Sequence, residues 1–245
     1  MSNTNINEEI KYLNRNYNFE KALSTKPILY ELYKFLNKDD LKRFCLLNQK
    51  IHNSHCNLIK TLKINKGAET LNLEKLYNKY NDINNLDLSE CKKIKDFTPI
   101  SKLKELTNLN VSYTNISDIS FLEKNKNIDE LNLKFCYYIK DFSPISKLEK
   151  LEILDVNDTN ISDISFLEKN KNIKKLHLYN CKNIKDFASI SKLERLEILD
   201  ISWINISDIS FLQKYKNIKE LFLNHCENFY QNDILSSRGD IEIYI

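Results

Sequence analysis

The sequence predicts an α/β repeat solenoid, in which short coils stack and align their strands into one parallel face. The first observation is a repeat, because Cys91, Cys136, Cys181 and Cys226 follow one another at intervals of 45 residues. The second is a Leu-x-Leu core with alternating spacings of 23 and 22 residues, which opens at Leu86, Leu109, Leu131, Leu154, Leu176, Leu199 and Leu221. Self-similarity at a fixed period is the signature of a stacked architecture. Each 45-residue unit therefore contains two coils.

Each coil is predicted to begin with a short strand that faces the core with alternate residues. In a strand, successive side chains point to opposite faces, so Leu176 and Leu178 are expected inside and His177 outside. Further apolar residues turn the chain and fill the same core, and in this coil they are Ile184, Phe187, Ile190 and Leu193. A single coil buries too little to fold alone, so neighbouring coils must complete the burial and pair their strands.

The two ends of a solenoid need caps. Residues Thr61–Ile64 are predicted to form an opening strand, and residues Ile241–Ile245 read as a degenerate closing strand. The chain then divides into a polar N-terminal segment (1–25), a helical domain (26–60) and the solenoid (61–245).

The repeats resemble a known family. Two stretches carry the resemblance to leucine-rich repeats, and they read LDLSECKKIKDFTPISKLKEL and LDVNDTNISDISFLEKNKNI. The form that contains ISDISFL resembles the internalin type, and the form that contains Cys resembles the repeats of many F-box proteins. The resemblance implies a leucine-rich-repeat array whose parallel strand face binds another protein.

Residues 26–60 show a different, helical periodicity. Apolar residues recur there at helical spacing in two groups, which are Ile28, Leu32 and Leu36, then Leu41, Phe44 and Leu47. The first group stops at Asn37, and Asp39 or Asp40 can cap the second helix. Two or three short helices are therefore predicted to precede the solenoid.

This segment resembles an F-box. The family's aromatic-Leu pair, Asp-Leu pair and later apolar positions are matched by Phe35-Leu36, Asp40-Leu41, Leu47 and Ile51. Thr25, where the family has Pro, departs from the pattern. The resemblance implies a substrate receptor of a cullin-RING ubiquitin ligase, docked to a Skp-type adaptor and its cullin through Ile28, Leu32, Tyr33, Leu36, Leu41 and Leu47. The alternative is that residues 26–60 only cap the first coil, which makes the chain a binding scaffold or regulator without a ubiquitin role.

The periodic cysteines are predicted to be structural. Residues 45 positions apart lie two coils apart, about 9.6 Å at the strand spacing. That distance excludes a disulfide or a shared zinc ion. Thr114 and Thr159 occupy the matching place in the alternate coils, which favours a small buried side chain bonded to the turn backbone. The Asn-Ile-Ser triplets at Asn115, Asn160 and Asn205 are likewise expected to be turn residues rather than glycosylation sites.

No feature of the sequence indicates catalysis, a metal or a cofactor. None of the four histidines has a nucleophile partner, and two glycines are too few for a phosphate-binding loop. The net charge of +3 argues against a nucleic-acid partner. Without an apolar leader or membrane span, a cytoplasmic or nuclear protein is expected (host cytoplasm if it is viral), monomeric within its complex.

The repeats themselves indicate where a target would bind. Residues 114–128 and 159–173 are identical, although this loop, including Asn125 and Asn170, is expected to be largely exposed. Positions along and just after the strands, by contrast, differ between copies. The hypothesis is that the strand face diversified for binding, with candidate target-binding residues Tyr113, Asn132, Lys134, His177, Tyr179, Trp203, Phe222 and Asn224. Patchy duplication by gene conversion is the alternative explanation. The aromatic members suit binding because they bury large area at low entropic cost.

Overall fold

The fold is taken from a computed structural model. The structure describes residues 61–64, 73, 83–206, 211–212, 217–226 and 241–245. The predicted helical domain (26–60), including its six adaptor-binding candidates, lies outside these residues.

Among the described residues, nine short parallel strands form one sheet in chain order, each paired with the next. The strands are β1 (Thr61–Lys63), β2 (Asn85–Asp87), β3 (Asn108–Asn110), β4 (Glu130–Asn132), β5 (Ile153–Asp155), β6 (Lys175–His177), β7 (Ile198–Asp200), β8 (Glu220–Phe222) and β9 (Glu242–Tyr244). Strand β1 and strand β9 confirm the predicted opening and closing strands.

Every strand from β2 to β8 has a buried leucine at its centre, and these are the seven leucines that open the Leu-x-Leu cores. The register places each leucine beside the next, as Leu86 beside Leu109 and Leu109 beside Leu131. Leu176 and Leu178 are fully buried, and His177 between them is half-buried on the other face. The predicted alternation is therefore confirmed.

The return segments of residues 83–206 contain 3-10 helices rather than the α-helices that an α/β class implies. They are Thr98–Lys102, Ser120–Lys124, Ser143–Lys147, Ser165–Lys169 and Ala188–Lys192. A coil of 22 or 23 residues must return to the start of the next strand. A 3-10 helix rises about 2.0 Å per residue, against about 1.5 Å for an α-helix, so it spans that distance with fewer residues.

Each of these helices is preceded by an aspartate that holds its first turn. The Oδ1 atom of Asp118 accepts the N–H of Ser120, and that of Asp163 accepts the N–H of Ser165, both at 2.8 Å. These side chains are exposed, yet each satisfies a backbone donor at the start of a helix. One solvent-facing position per coil is therefore fixed by local structure.

The cysteines and threonines form one buried row along the coils. Cys136 Sγ and Thr114 Oγ1 both donate to the carbonyl of Val111, at 3.2 and 2.7 Å. Cys181 and Thr159 repeat the arrangement on the carbonyl of Val156, at 3.1 and 2.8 Å. The four described cysteines are unpaired in disulfides. The structural interpretation of these residues is confirmed.

Asparagine side chains connect adjacent coils on the return side. Asn125 donates to the carbonyls of Ile100 and Leu103, at 3.0 and 2.9 Å. Asn170 makes the same two bonds one unit later. Both asparagines are fully buried, so the sequence-based assumption that this loop is solvent-facing was wrong at these two positions. A polar residue was taken as exposed, but its amide is buried and gives two carbonyls a second donor beside their backbone one.

The Asn-Ile-Ser asparagines also bridge coils. Asn115 Nδ2 donates to the carbonyl of Lys92 at 3.0 Å, and Asn160 Nδ2 to the carbonyl of Tyr137 at 2.8 Å. Their prediction as turn residues is confirmed for these two. No helix among the described residues is long and apolar enough to cross a bilayer.

Candidate functional site

Two rows of outward positions run across the strands and make up the candidate site. The strand row is the position directly after each central leucine, occupied by Asp87, Asn110, Asn132, Asp155, His177, Asp200 and Phe222. The turn row lies three residues further on, just past the strand, and consists of Glu90, Tyr113, Phe135, Asp158, Asn180, Trp203 and His225. Side chains in both rows are half-buried or exposed.

Most of the strand row holds the turn that follows it. Asn132 Oδ1 accepts the N–H of Lys134 at 3.0 Å, and Asp155 Oδ1 accepts the N–H of Asn157 at 2.9 Å. This is the Asx-turn geometry. Asn132, a candidate binding residue, thus also has a local structural role.

His177 and Phe222 do not provide that acceptor, and the preceding coil supplies it instead. The N–H of Tyr179 donates to Asn157 Oδ1 at 2.7 Å, and the N–H of Asn224 donates to Ser202 Oγ at 3.1 Å. The side chains of His177 and Phe222 are consequently free of a turn-forming duty. Both belong to the predicted binding set.

Every residue of the turn row has a left-handed backbone, with φ between 53° and 62°. Its N–H continues the inter-coil ladder, as Tyr113 donates to the carbonyl of Lys134 and Trp203 to that of Asn224, both at 2.8 Å. This conformation costs about 1–2 kcal/mol for a residue other than Gly, and Asn and Asp tolerate it best. Only Asp158 and Asn180 are of that tolerant kind, so the aromatic residues occupy the row in spite of its backbone preference.

The aromatic residues of the turn row belong to two clusters, and in the strand row Phe222 stacks on Tyr244 of β9 with ring centroids 4.4 Å apart. The first consists of Tyr113, stacked on Phe135 with ring centroids 4.4 Å apart, and of Tyr137, whose ring lies edge-on to Phe135 at 5.8 Å. Tyr113, Tyr137 and the neighbouring Tyr138 are exposed. The Nζ of Lys134 lies 5.4 Å from the centroid of the Phe135 ring. This cluster therefore exposes a large, mostly apolar surface that carries tyrosine hydroxyl groups.

The second cluster surrounds the only tryptophan of the sequence. The ring of Trp203 lies 4.4 Å from that of His225 and 6.5 Å from that of Tyr179, measured between centroids. The Nζ of Lys182 lies 5.7 Å from the centroid of the Trp203 ring. Trp203 is 41% exposed, which confirms the exposure that the repeat pattern predicts.

Carboxylates lie between and beside the clusters. Burial raises the pKa of Asp155. The hydrogen bond from the N–H of Asn157 and the nearby His177 partly offset this rise. Asp158 accepts a hydrogen bond from Asn180 Nδ2 at 2.6 Å. The ion pairs within the described residues are Lys63–Asp87, Lys174–Glu152 and Lys219–Glu197, and neither Asp155 nor Asp158 takes part in them.

The eight predicted target-binding residues all lie in or beside the two rows, with Lys134, Tyr179 and Asn224 on the turn between them. Sequence reasoning missed Phe135, Tyr137 and His225. It compared each position only with copies 45 residues away. Comparison at 22 or 23 residues aligns Phe135 with Tyr113 and His225 with Trp203.

The buried thiols are unsuited to nucleophilic chemistry. Burial raises the pKa of Cys136 and of Cys181 to about 11. A reactive cysteine needs a lowered pKa and access to solvent. In the described part of the chain, no group of three or more His, Cys, Asp or Glu is placed to hold a metal ion.

Comparison with known proteins identifies a family that part of the chain resembles. The family model described as Zer-1-like, leucine-rich repeats matches residues 141–236, less than half of the chain. No curated protein matches the sequence.

Many solved structures have similar coils, and three of them come from bacteria. An internalin (inlF) from Listeria monocytogenes is 25% identical with a TM-score of 0.64, over 77% of this chain and 61% of that one. An internalin C2 from the same species is 22% identical with a TM-score of 0.62, over 78% and 81%. A leucine-rich-repeat protein from Leptospira interrogans is 14% identical with a TM-score of 0.52, over 79% and 68%. The chain thus spans about three fifths of the inlF chain. The described coils, with their parallel strands and central leucines, are similar in fold to leucine-rich repeats.

Proposed function

We propose that this chain is a protein-interaction subunit that holds a target on the strand and turn rows of its repeats. The observation that carries the proposal is the occupation of a left-handed row by Tyr113, Phe135 and Trp203. Stacking offsets part of the backbone cost, at about 0.5–1.5 kcal/mol per ring pair. Exposed rings in an unfavourable backbone conformation are what selection for binding would retain, since aromatic anchors dominate binding energy at interfaces.

We further propose that the chain is the substrate receptor of a cullin-RING ubiquitin ligase. The support is the F-box resemblance of residues 26–60, in which Phe35-Leu36 and Asp40-Leu41 lie at the family's intervals. The chain would then perform no chemistry itself. It would bring its target close to the ubiquitin-conjugating enzyme of the complex, inside the cytoplasm or nucleus, and proximity would supply the rate enhancement.

Co-purification with a eukaryotic Skp-type adaptor tests the ligase role. The wild-type chain is expected to bind stoichiometrically, and a Leu36→Asp, Leu41→Asp double variant is expected to lose the adaptor. Circular dichroism of the double variant is the control, because the solenoid must stay folded for the loss to count. A wild-type chain that does not bind the adaptor would remove the ligase role and leave the interaction role standing.

The second candidate is a binding scaffold or regulator in which residues 26–60 only cap the first coil. It is favoured by the position of the family match, residues 141–236, which lies wholly within the repeats. This candidate predicts that target binding survives deletion of residues 1–60. The ligase role predicts that the same deletion keeps target binding but abolishes ubiquitination of the target by the assembled complex.

A further inference from the structure

The turn row has an order that the proposed function does not explain. Its last six residues form three adjacent pairs, which are aromatic, polar and aromatic in turn: Tyr113 with Phe135, Asp158 with Asn180, and Trp203 with His225. In both aromatic pairs the ring centroids lie 4.4 Å apart. In the polar pair the amide donates to the carboxylate at 2.6 Å. Two apolar contact points are therefore separated by one acidic point.

The spacing of these points fits an extended peptide. Phe135 and Trp203 lie three strands apart, about 14 Å at a strand spacing of about 4.8 Å. An extended chain advances about 3.4 Å per residue, so its side chains i and i+4 also lie about 14 Å apart. Side chains i, i+2 and i+4 point to the same side, which places residue i+2 opposite the pair of Asp158 and Asn180.

The charges favour a cation only at the centre. Asp158 has no ion-pair partner among the described residues. Burial raises the pKa of the neighbouring Tyr137, and the negative charge of Asp158 raises it further. At the two ends, Lys134 and Lys182 already lie over the rings of Phe135 and Trp203. A second cation there would meet like charge, whereas a cation at the centre would meet an unpaired carboxylate.

We propose that the turn row binds an extended segment of the partner protein, running across the strands from β4 to β7. The segment carries apolar side chains at positions i and i+4 and a lysine or arginine at position i+2. The apolar side chains contact the two aromatic pairs, and the basic side chain pairs with Asp158. This inference rests on the proposed function and specifies the chemistry of its partner.

Selection from a random heptapeptide library displayed on phage, against the full chain, tests the motif. Enriched peptides are then synthesised and titrated by the fluorescence of Trp203, which reports on this site because it is the only tryptophan. The expected result is enrichment of apolar residues at i and i+4 with Lys or Arg at i+2. Enrichment of an acidic central residue, apolar enrichment without a basic centre, or no enrichment would overturn the proposal.

Two variants separate recognition from folding. Asp158→Asn keeps a residue that tolerates the left-handed backbone, and it should weaken an arginine-centred peptide at least about fivefold while leaving a serine-centred peptide unchanged. Asp163→Asn removes the same charge from the return side of the same coil and should change neither peptide. Asp158→Lys should invert the central preference to Glu or Asp.

The opposite results have distinct meanings. If Asp158→Asn weakens both peptides equally, Asp158 only maintains the turn and the inference is wrong. If no motif emerges but Trp203→Ala still abolishes capture of a full-length target, the inference fails and the proposed interaction function stands. If Trp203→Ala leaves target capture intact, the proposed function fails at this surface, and the inference fails with it.

Discussion

The turn row and the return side of the same coils differ in how much their residues vary between copies of the repeat. Residues 114–128 and 159–173 are identical, yet the residue directly before each of these stretches is Tyr113 in one copy and Asp158 in the other. On the return side, side chains make the bonds between coils, as Asn125 and Asn170 do. In the turn row, backbone N–H groups make them from Glu90 to Trp203, and Asn180 adds a side-chain bond to Asp158. The repeat therefore constrains the side chains of the return side and leaves most side chains of the turn row available for function.

The largest effect on stability is expected on the return side. Asn170→Ala removes two buried hydrogen bonds, which Asn170 donates to the carbonyls of Ile145 and Leu148 at 3.0 and 2.9 Å, and leaves each carbonyl with its backbone donor only. Each buried hydrogen bond contributes about 0.5–1.5 kcal/mol, and the lost amide also leaves a cavity, so a loss of roughly 2–4 kcal/mol in the free energy of unfolding is expected. Urea denaturation followed by circular dichroism measures it.

Asn172→Ala is the matched control for this prediction. Asn172 is two residues away in the same coil and bonds the carbonyl of Glu149 at 2.7 Å, but at an exposed site. Water can replace that bond, so a loss below about 1 kcal/mol is expected. Equal losses for the two variants would show that burial of the asparagine row does not matter.

The largest effect on binding is expected in the turn row. Trp203→Ala should weaken target binding by about 2 kcal/mol or more, roughly 30-fold, as loss of an exposed aromatic anchor does. The free energy of unfolding should change by no more than about 1–2 kcal/mol, because the ring is 41% exposed. Isothermal titration with a purified target measures the first quantity, and thermal denaturation the second. A variant that unfolds would place Trp203 in the core and contradict its assignment to the site.

A smaller effect is expected at the buried row of cysteines and threonines. Cys136→Thr copies the alternate coil, in which Thr114 donates to the same carbonyl of Val111. A change below about 1 kcal/mol is expected, whereas Cys136→Leu should cost about 1–3 kcal/mol by overpacking. Urea denaturation compares the two variants, and a tolerated leucine would contradict the tight packing of this row.

Reagent accessibility checks the same row. Cys136 and Cys181 are buried with a pKa of about 11, while Cys226 is half-buried. Thiol labelling of the folded chain at neutral pH, located by mass spectrometry, should therefore modify Cys226 before the other two. Faster labelling of Cys136 than of Cys226 would show that the coils open locally.

The smallest effect is a difference in titration between the two sides. Hydrogen bonds from the N–H and hydroxyl of Ser165 lower the pKa of Asp163, whereas burial raises that of Asp155. The ionised Asp163 therefore stabilises the fold above its unfolded pKa, and this is lost as pH falls through its folded pKa. The ionised Asp155 disfavours folding at neutral pH, and protonation removes that cost as pH falls through its raised pKa. Carbon-13 NMR of the carboxyl groups should find the pKa of Asp163 below 3.8 and the pKa of Asp155 above 3.8. The reverse order of the two pKa values would contradict this prediction.

The strands were predictable because each central leucine must face the core, and that requirement repeats at a fixed spacing. The buried row was also predictable, because the small size and hydrogen-bonding capacity of Cys136 and Thr114 follow from their residue types. The left-handed turn row was not predictable, since Tyr113 and Trp203 are among the residues least typical of that conformation. The burial of Asn125 was also hidden, because its partners lie in the preceding coil and polarity alone suggests exposure.

The central claim is that the target binds the turn row and not the return side. The most direct measurement compares the affinity of one purified target for two double variants of the full chain. Tyr113→Ala with Trp203→Ala removes exposed rings from the turn row, and Glu123→Ala with Glu168→Ala removes exposed side chains from the two identical return segments. We expect the first pair to lose the target and the second to bind it like the wild type. Retained binding by the first pair, or loss by the second, would contradict the central claim.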